Sequence, residues 1–255
     1  MIARPLALVT GGWRRVGGAI AERLALAGYD LALHAHSAKS FDDGVIAQLG
    51  AHGAAVHPLE ADLCDPAAVE KLLPAAIAAA GRVPVLLVNC ASVFHEDTAL
   101  TIDGASLDAH FHVNFHAPLI LTRALAVALA NADAQGSVVQ IVDQRINNPV
   151  PDQISYTLSK QALHASVRTM ARSLAPRVRV NAVAPGLTLP TEHYDDAQWQ
   201  RLAALMPLDR LSRPEDIADA VLHLAGAQAT TGQTVFVDAG AHLEAYARDF
   251  LYLAR

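Results

Sequence analysis

The sequence predicts an α/β fold: a single doubly wound parallel sheet with helices on both faces. Three observations carry this. Short apolar runs alternate with longer stretches of helical periodicity. Residues 85–88 (Val-Leu-Leu-Val) are apolar without alternation, as in a strand covered on both faces. A glycine-rich turn over residues 10–18 follows the first apolar run and opens the first helical pattern.

In chain order, residues 6–9 form the first strand. A helix from about Val16 turns Ile20, Leu24 and Ala27 to the core and stops at Gly28. A second strand covers 30–36, a helix runs through 45–49, and a third strand covers 56–59. Asp65-Pro66 opens the next helix with proline in its first turn. Pro74 lies inside that pattern and is expected to kink or divide it. After the strand at 85–88 come a long helix over 107–129, a strand at 138–142, the helix that carries Tyr156, and a strand at 178–183. A polar stretch follows Pro185-Gly186, and a substrate loop is expected near 187–200. Helices near 197–205 and 214–224 and a last strand at 234–237 close the pattern. No shift in composition marks a boundary, so residues 1–255 are read as one domain.

Composition narrows the function classes. The chain is 53% hydrophobic and 17% charged, as in an ordinary globular protein. A net charge of -6 gives no global attraction for nucleic acid or an anionic membrane. Two cysteines, Cys64 and Cys90, make no disulfide framework, and a reducing cytoplasm is the expected compartment. The first residues lead directly into a strand without signal-peptide architecture. No apolar segment reaches the roughly 18 uninterrupted residues of a membrane span. The twelve histidines include His34/His36 and His110/His112, but neither spacing belongs to a zinc signature, so no metal is expected.

The chemistry concentrates in Asp143, Tyr156 and Lys160. Tyr156 and Lys160 are four residues apart and share a helix face. Tyrosine is a useful acid only if its pKa of about 10 is lowered. A poorly solvated ammonium could lower it by roughly two units, about 2.7 kcal/mol. The glycine turn is where a doubly wound sheet binds a dinucleotide, with pyrophosphate on the helix N-terminus. The tip of the second strand, His34 to Ser37, lacks the acid that holds the ribose 2′-hydroxyl of NAD. Asp30 lies at the wrong end of that strand. With Arg14 beside the turn and Lys39 as a second cation, NADP(H) is the expected cofactor.

Taken together, these motifs resemble the short-chain dehydrogenase/reductase family over essentially the whole chain. The resemblance implies a Rossmann-like fold. It implies adenine contacts from Asp62 and Leu63, and a cofactor segment formed by Asn89, Cys90, Ala91 and Ser92. Asn114 matches the asparagine that supports a proton relay, and Pro185, Gly186 and Leu187 match the loop beside the nicotinamide. Gly11, Arg14, Arg15, Val16, His36, Ser37, Tyr156 and Lys160 complete the expected cofactor set.

Within that family the chain resembles the pteridine reductases and the bacterial dihydromonapterin/dihydrofolate reductases. The usual second glycine of the turn is Arg15, and the usual catalytic serine is Asp143. Ser92 and Phe94 are similar to a segment that hydrogen-bonds and stacks on a pterin ring. The basic residue that follows the strand end in that subgroup is replaced by Ser37. The resemblance implies a pterin or folate substrate held by Arg15, Ser92, Phe94, Asp143 and Tyr156. Tyr156 would be the proton donor, Lys160 its activator, and Asp143 the group that positions or recharges the tyrosine. An ionised Asp143 would repel a developing alkoxide, which favours a C=N bond over a ketone. A carbonyl or 3-oxoacyl-thioester reductase, or a non-catalytic NADP-binding regulator, are the alternatives. Two helices are apolar on more than one face (Leu119, Leu121, Leu125; Leu163, Val167, Met170); such a stripe can equally be core, and the resemblance implies a homotetramer through these helices.

Overall fold

In the computed structural model, residues 4–190 and 194–254 are described. The middle of the expected substrate loop, residues 191–193, and the first three residues lie outside them. The elements alternate as expected: β1 Leu6–Thr10, α1 Arg15–Leu26, β2 Asp30–Ala35, α2 Asp43–Ala51, β3 Val56–Glu60, α3 Pro66–Ala80 and β4 Leu86–Asn89. There follow α4 Gly104–Phe111, α5 Ala117–Asn131, β5 Gly136–Ile141, α6 Ile154–Leu174, β6 Val178–Pro185, α7 Asp196–Ala204, α8 Pro214–Gly226 and β7 Thr234–Val237. The strands form one parallel sheet in the order β3-β2-β1-β4-β5-β6-β7.

Two apolar layers cover the sheet. Leu8, Leu87 and Val180 face Leu72, Leu121 and Leu163 of α3, α5 and α6. Val9, Val88 and Val183 face Ile20, Leu24 and Val221 of α1 and α8. The order reverses between β1 and β4: the chain builds outward from β1 to β3, then crosses to β4 on the other side. Their C-terminal ends, with Thr10 opposite Asn89, therefore border an open crevice.

Four local expectations need correction. Pro74 does not divide its helix, since α3 is continuous through it. Its ring lies on the exposed side while Leu72, Leu73 and Ala76 are buried, so the carbonyl it displaces can turn to water. Ala27 caps α1 and is exposed; Ala25 takes the core position. The long helix is α4 and α5 joined through a π-helical turn, His112–His116. That 28-residue stretch, Gly104–Asn131, is also long and apolar enough to span a membrane by length and composition. Here its Leu121, Leu125 and Leu129 pack in the core with no exposed surface.

Beyond β7 the chain makes two short 3₁₀ turns, Ala241–Leu243 and Phe250–Tyr252. Ala241 and Phe250 join Leu202 and Met206 in a third apolar cluster, against which Leu187 and Tyr194 pack. This tail brings Phe250 and Leu251 to the rim of the crevice.

Leu121 is fully buried and Leu100 is 97% exposed. Leu121→Ala is expected to lower unfolding free energy by about 2–5 kcal/mol, and Leu100→Ala by less than about 0.5 kcal/mol. Urea unfolding of the two variants beside the parent chain measures both.

Candidate active site

A single threonine begins the site. Thr10 Oγ1, at the end of β1, accepts hydrogen bonds from the backbone N–H groups of Cys90 and Ala91 at 3.0 and 3.1 Å. It ties the loops after β1 and β4 together across the crevice. Gly11 (φ 65°) then turns the chain. Gly17 packs onto that turn so closely that a Cβ would lie 2.0 Å from the Gly11 carbonyl oxygen. Arg15 has φ 54°, a left-handed conformation that favours glycine and costs a non-glycine residue roughly 1–2 kcal/mol. The glycine expected at this position thus has a backbone reason, and Arg15 holds the same conformation with a guanidinium attached.

Helix α1 has no acidic residue in its first turn, and its N-cap residue Arg14 makes no side-chain cap. Its free N–H groups and positive dipole end are therefore available to an anion. Gly11, Arg14, Arg15 and Val16 all line the crevice, a cavity of about 1390 Å³. That volume exceeds the roughly 300–1,000 Å³ of a drug-sized pocket. Such a cradle fits a diphosphate.

The adenosine end is less uniform. Asp62, Leu63 and His36 line the cavity, and His36 Nδ1 lies 3.5 Å from Asp62. Ser37 and Lys39 lie outside the lining; Ser37 Oγ accepts the Lys39 N–H. His34 is structural, with one ring nitrogen accepting the Gly11 N–H and the other meeting the Ala61 carbonyl. Asp30, as expected from its place, is far from the tip and pairs with Arg82 and Arg4.

Asn89 does not reach the cavity. It is buried behind the strand ends, and its amide donates to Gln140 Oε1. Ala91, Ser92 and Phe94 do line it. Asn114, fully buried in the π-helical turn, sits behind them and acts as a clamp. Its Oδ1 accepts from the Val93 N–H and Ser92 Oγ, and its Nδ2 donates to the Val93 carbonyl and Ser159 Oγ. The extra residue of a π turn re-aims one side chain within a helix, a device periodicity does not reveal.

At the centre, Asp143 leaves β5 and caps the following 3₁₀ turn, its Oδ1 accepting the Arg145 N–H. This turn leaves Oδ2 to accept the Tyr156 hydroxyl proton at 2.8 Å. Lys160 donates to the Ile141 carbonyl at 2.8 Å, with Nζ 5.7 Å from the Tyr156 ring centroid. Phe94 meets the Tyr156 ring edge-on at 4.8 Å and remains half-exposed. Pro185, Gly186 and Leu187 form the opposite wall.

The electrostatics correct one sequence expectation. Burial, and then the Asp143 charge, hold the Tyr156 phenol well above its ordinary pKa. Lys160 does not offset this. Its own burial pushes it down to about 8, so it is a reluctant cation. A lone ammonium was expected to dominate, but desolvation and a carboxylate in direct contact outweigh it.

Sequence reasoning also missed Arg145, Gln153, Asp249 and Tyr194. Arg145 is buried, and its three nitrogens are distributed among three partners. Nε donates to Asp143 at 3.2 Å, Nη1 to Gln153 at 3.1 Å and Nη2 to Asp249 at 2.7 Å. A charged residue two places after Asp143 was visible in the chain. Its partner Asp249, 104 residues further on, left no local signal.

A family model described as enoyl-(acyl carrier protein) reductase matches residues 13–242. The chain belongs to the short-chain dehydrogenase/reductase family. Among solved members, FolM alternative dihydrofolate reductase 1 from Brucella canis, complexed with NADP, is 38% identical, with a TM-score of 0.85 and 96% of each chain covered. The Brucella suis protein of the same name, also with NADP, is 37% identical, with a TM-score of 0.86, covering 95% of this chain and 97% of that one. A protein named for ketoacyl reduction in the granaticin polyketide synthase of Streptomyces violaceoruber is 34% identical over 247 residues, 94% of this chain and 96% of its own. The crevice with its candidate side chains lies at the carboxyl ends of the central strands.

The depressed Lys160 pKa has a direction in stability. Below about 8 the lysine is charged in both folded and unfolded chains, and the burial penalty is fully present. Between about 8 and 10.5 the unfolded chain binds more protons, so stability rises with pH from this group. Lys160→Met is expected to stabilise the ligand-free protein at neutral pH by roughly 1–3 kcal/mol and to flatten that rise. Urea unfolding across the window measures it.

Proposed function

We propose that this short-chain dehydrogenase/reductase is an NADPH-dependent pterin reductase that converts a dihydropterin or dihydrofolate to its tetrahydro form. The observation that carries the reading is the 2.8 Å hydrogen bond from Tyr156 to Asp143. A carboxylate stands where a carbonyl reductase of this family has a neutral serine. The NADP complexes of the two Brucella proteins support the cofactor, and their names support the substrate class.

Gly11, Arg14, Arg15 and Val16 would hold the cofactor diphosphate, Asp62 and Leu63 the adenine, and Lys160 with Tyr156 the nicotinamide ribose. When bound, NADPH supplies the hydride that reduces the ring carbon of the C=N bond. Phe94 offers its half-exposed face for offset stacking of a flat ring, and Arg15 and Ser92 its polar edge. Tyr156 gives a proton to the ring nitrogen. Because burial and Asp143 disfavour a phenolate, the tyrosine does not keep the resulting charge. It takes a proton back from solvent, beside the Asp143 carboxylate that orients its hydroxyl. A ketone would instead place a developing alkoxide beside this carboxylate.

The same reading includes a homotetramer through the outer faces of α5 and α6, where Val127 and Leu158 are exposed. Leu121, Leu125, Leu163 and Val167 of the expected stripe serve the core instead. Light scattering tests the assembly.

Ketoacyl reduction is the second reading, favoured by the Streptomyces relative. NADPH oxidation with dihydrobiopterin, dihydromonapterin, dihydrofolate and a 3-oxoacyl thioester separates the two. Turnover of the pterins is expected, and turnover of the thioester alone would overturn the proposal. Asp143→Ser is expected to lower pterin kcat/KM by about 10²-fold or more, with NADPH affinity unchanged by fluorescence titration.

A further inference from the structure

Asp249 belongs to the C-terminal tail, outside every motif the family resemblance carries. Its side chain is buried at 7% exposure against an equally buried Arg145. The tail is fastened independently of that pair. Arg248 grips both carboxylate oxygens of Asp152, and the Asp249 N–H donates to Asp152 Oδ2. Asp249 Oδ1 caps the last 3₁₀ turn through the Leu251 N–H. Asp249 Oδ2 is thus left to face the guanidinium. A guanidinium shared by two carboxylates draws less on the Tyr156 hydroxyl than one paired with a single carboxylate would.

We propose that Asp249 is a positioning residue for proton delivery: it divides the charge of Arg145 between two carboxylates, so that Tyr156 keeps its proton until the substrate takes it. This rests on the proton route of the proposed function but not on the identity of the substrate. Tyr156 gives its proton to substrate and takes one back from solvent beside the Asp143 carboxylate. Several groups surround the Asp143–Tyr156 pair. Arg145, from its own turn, and Asp249, from the tail, act on Tyr156, and Lys160 of α6 acts with Asp143; one step further out, Asp152 and Tyr194 act with Arg145, and Cys90 with Lys160. Of these, Asp249 is the anion that shares the guanidinium directly.

Asp249→Asn tests this, because asparagine can still cap the 3₁₀ turn and only the charge is lost. With Arg145 no longer shared, the Asp143–Tyr156 pair releases its proton more readily. The limb of the kcat–pH profile that reports loss of the donor proton should move down by about one pH unit, with NADPH affinity retained. Asp249→Glu should restore the parent profile. Arg248→Ala, which loosens the tail but keeps the Asp249 charge, should lower the thermal midpoint and leave the profile in place. The profile is taken on whichever substrate of the panel is turned over, so a thioester preference would sink the pterin reading and leave this test intact. If none is turned over, the alkaline absorbance of Tyr156 is read as the difference from Tyr156→Phe. In Asp249→Asn it should titrate at lower pH than in the parent chain. A profile or titration superimposable on the parent overturns the proposal and makes Asp249 merely structural.

Discussion

The site depends on the hydroxyl of Thr10, which joins two parallel strands whose crossovers leave in opposite directions. By accepting from Cys90 and Ala91, it sets the separation of the glycine turn from the segment that carries Ser92 and Phe94. From there a chain of hydrogen bonds runs across the molecule. Asn114 holds Val93 and Ser159, and Ser159 Oγ donates to the Tyr156 carbonyl at 2.7 Å. The anion cradle and the proton-handling tyrosine are therefore fixed in one frame, although they lie on elements distant in sequence. Fixed geometry of this kind is what lets positioning contribute to rate.

What could be read from the chain was what repeats locally. The alternation of apolar runs with helical patterns located every strand of the sheet, because strands covered on both faces have no polar alternation to obscure them. Asp143, Tyr156 and Lys160 were legible because turn and helix geometry convert their spacing directly into proximity. The unread features all involve competition between local and distant terms. Pro74 is harmless only because its face of α3 meets water. The π turn at His112–His116 adds a residue to a pattern of unchanged composition. The Arg145–Asp249 pair closes over 104 residues, and nothing near either residue points to the other.

The sign error for Tyr156 has the same origin. Spacing placed a lysine near a tyrosine, and charge alone would have lowered the phenol. Packing decided otherwise, because it removed water from both groups, brought Asp143 into contact and turned the ammonium to the Ile141 carbonyl. A buried phenol beside a carboxylate is a poor place to leave negative charge but a good conductor for a proton between two better sites. In the proposed mechanism the acid is therefore the Asp143–Tyr156 pair and not a tyrosine activated by lysine alone.

Such a pair needs its charge balanced, and that explains why a protein would bury Arg145. Removing a guanidinium from water costs several kcal/mol unless its partners are well aligned, and here Asp143, Gln153 and Asp249 each take one nitrogen. An apolar side chain could fill the same volume with less desolvation, but it would leave two buried carboxylates beside Tyr156 uncompensated. Two carboxylates against one guanidinium leave one net negative charge, which opposes loss of the Tyr156 proton. The tail that delivers the second carboxylate thereby sets the charge beside Tyr156.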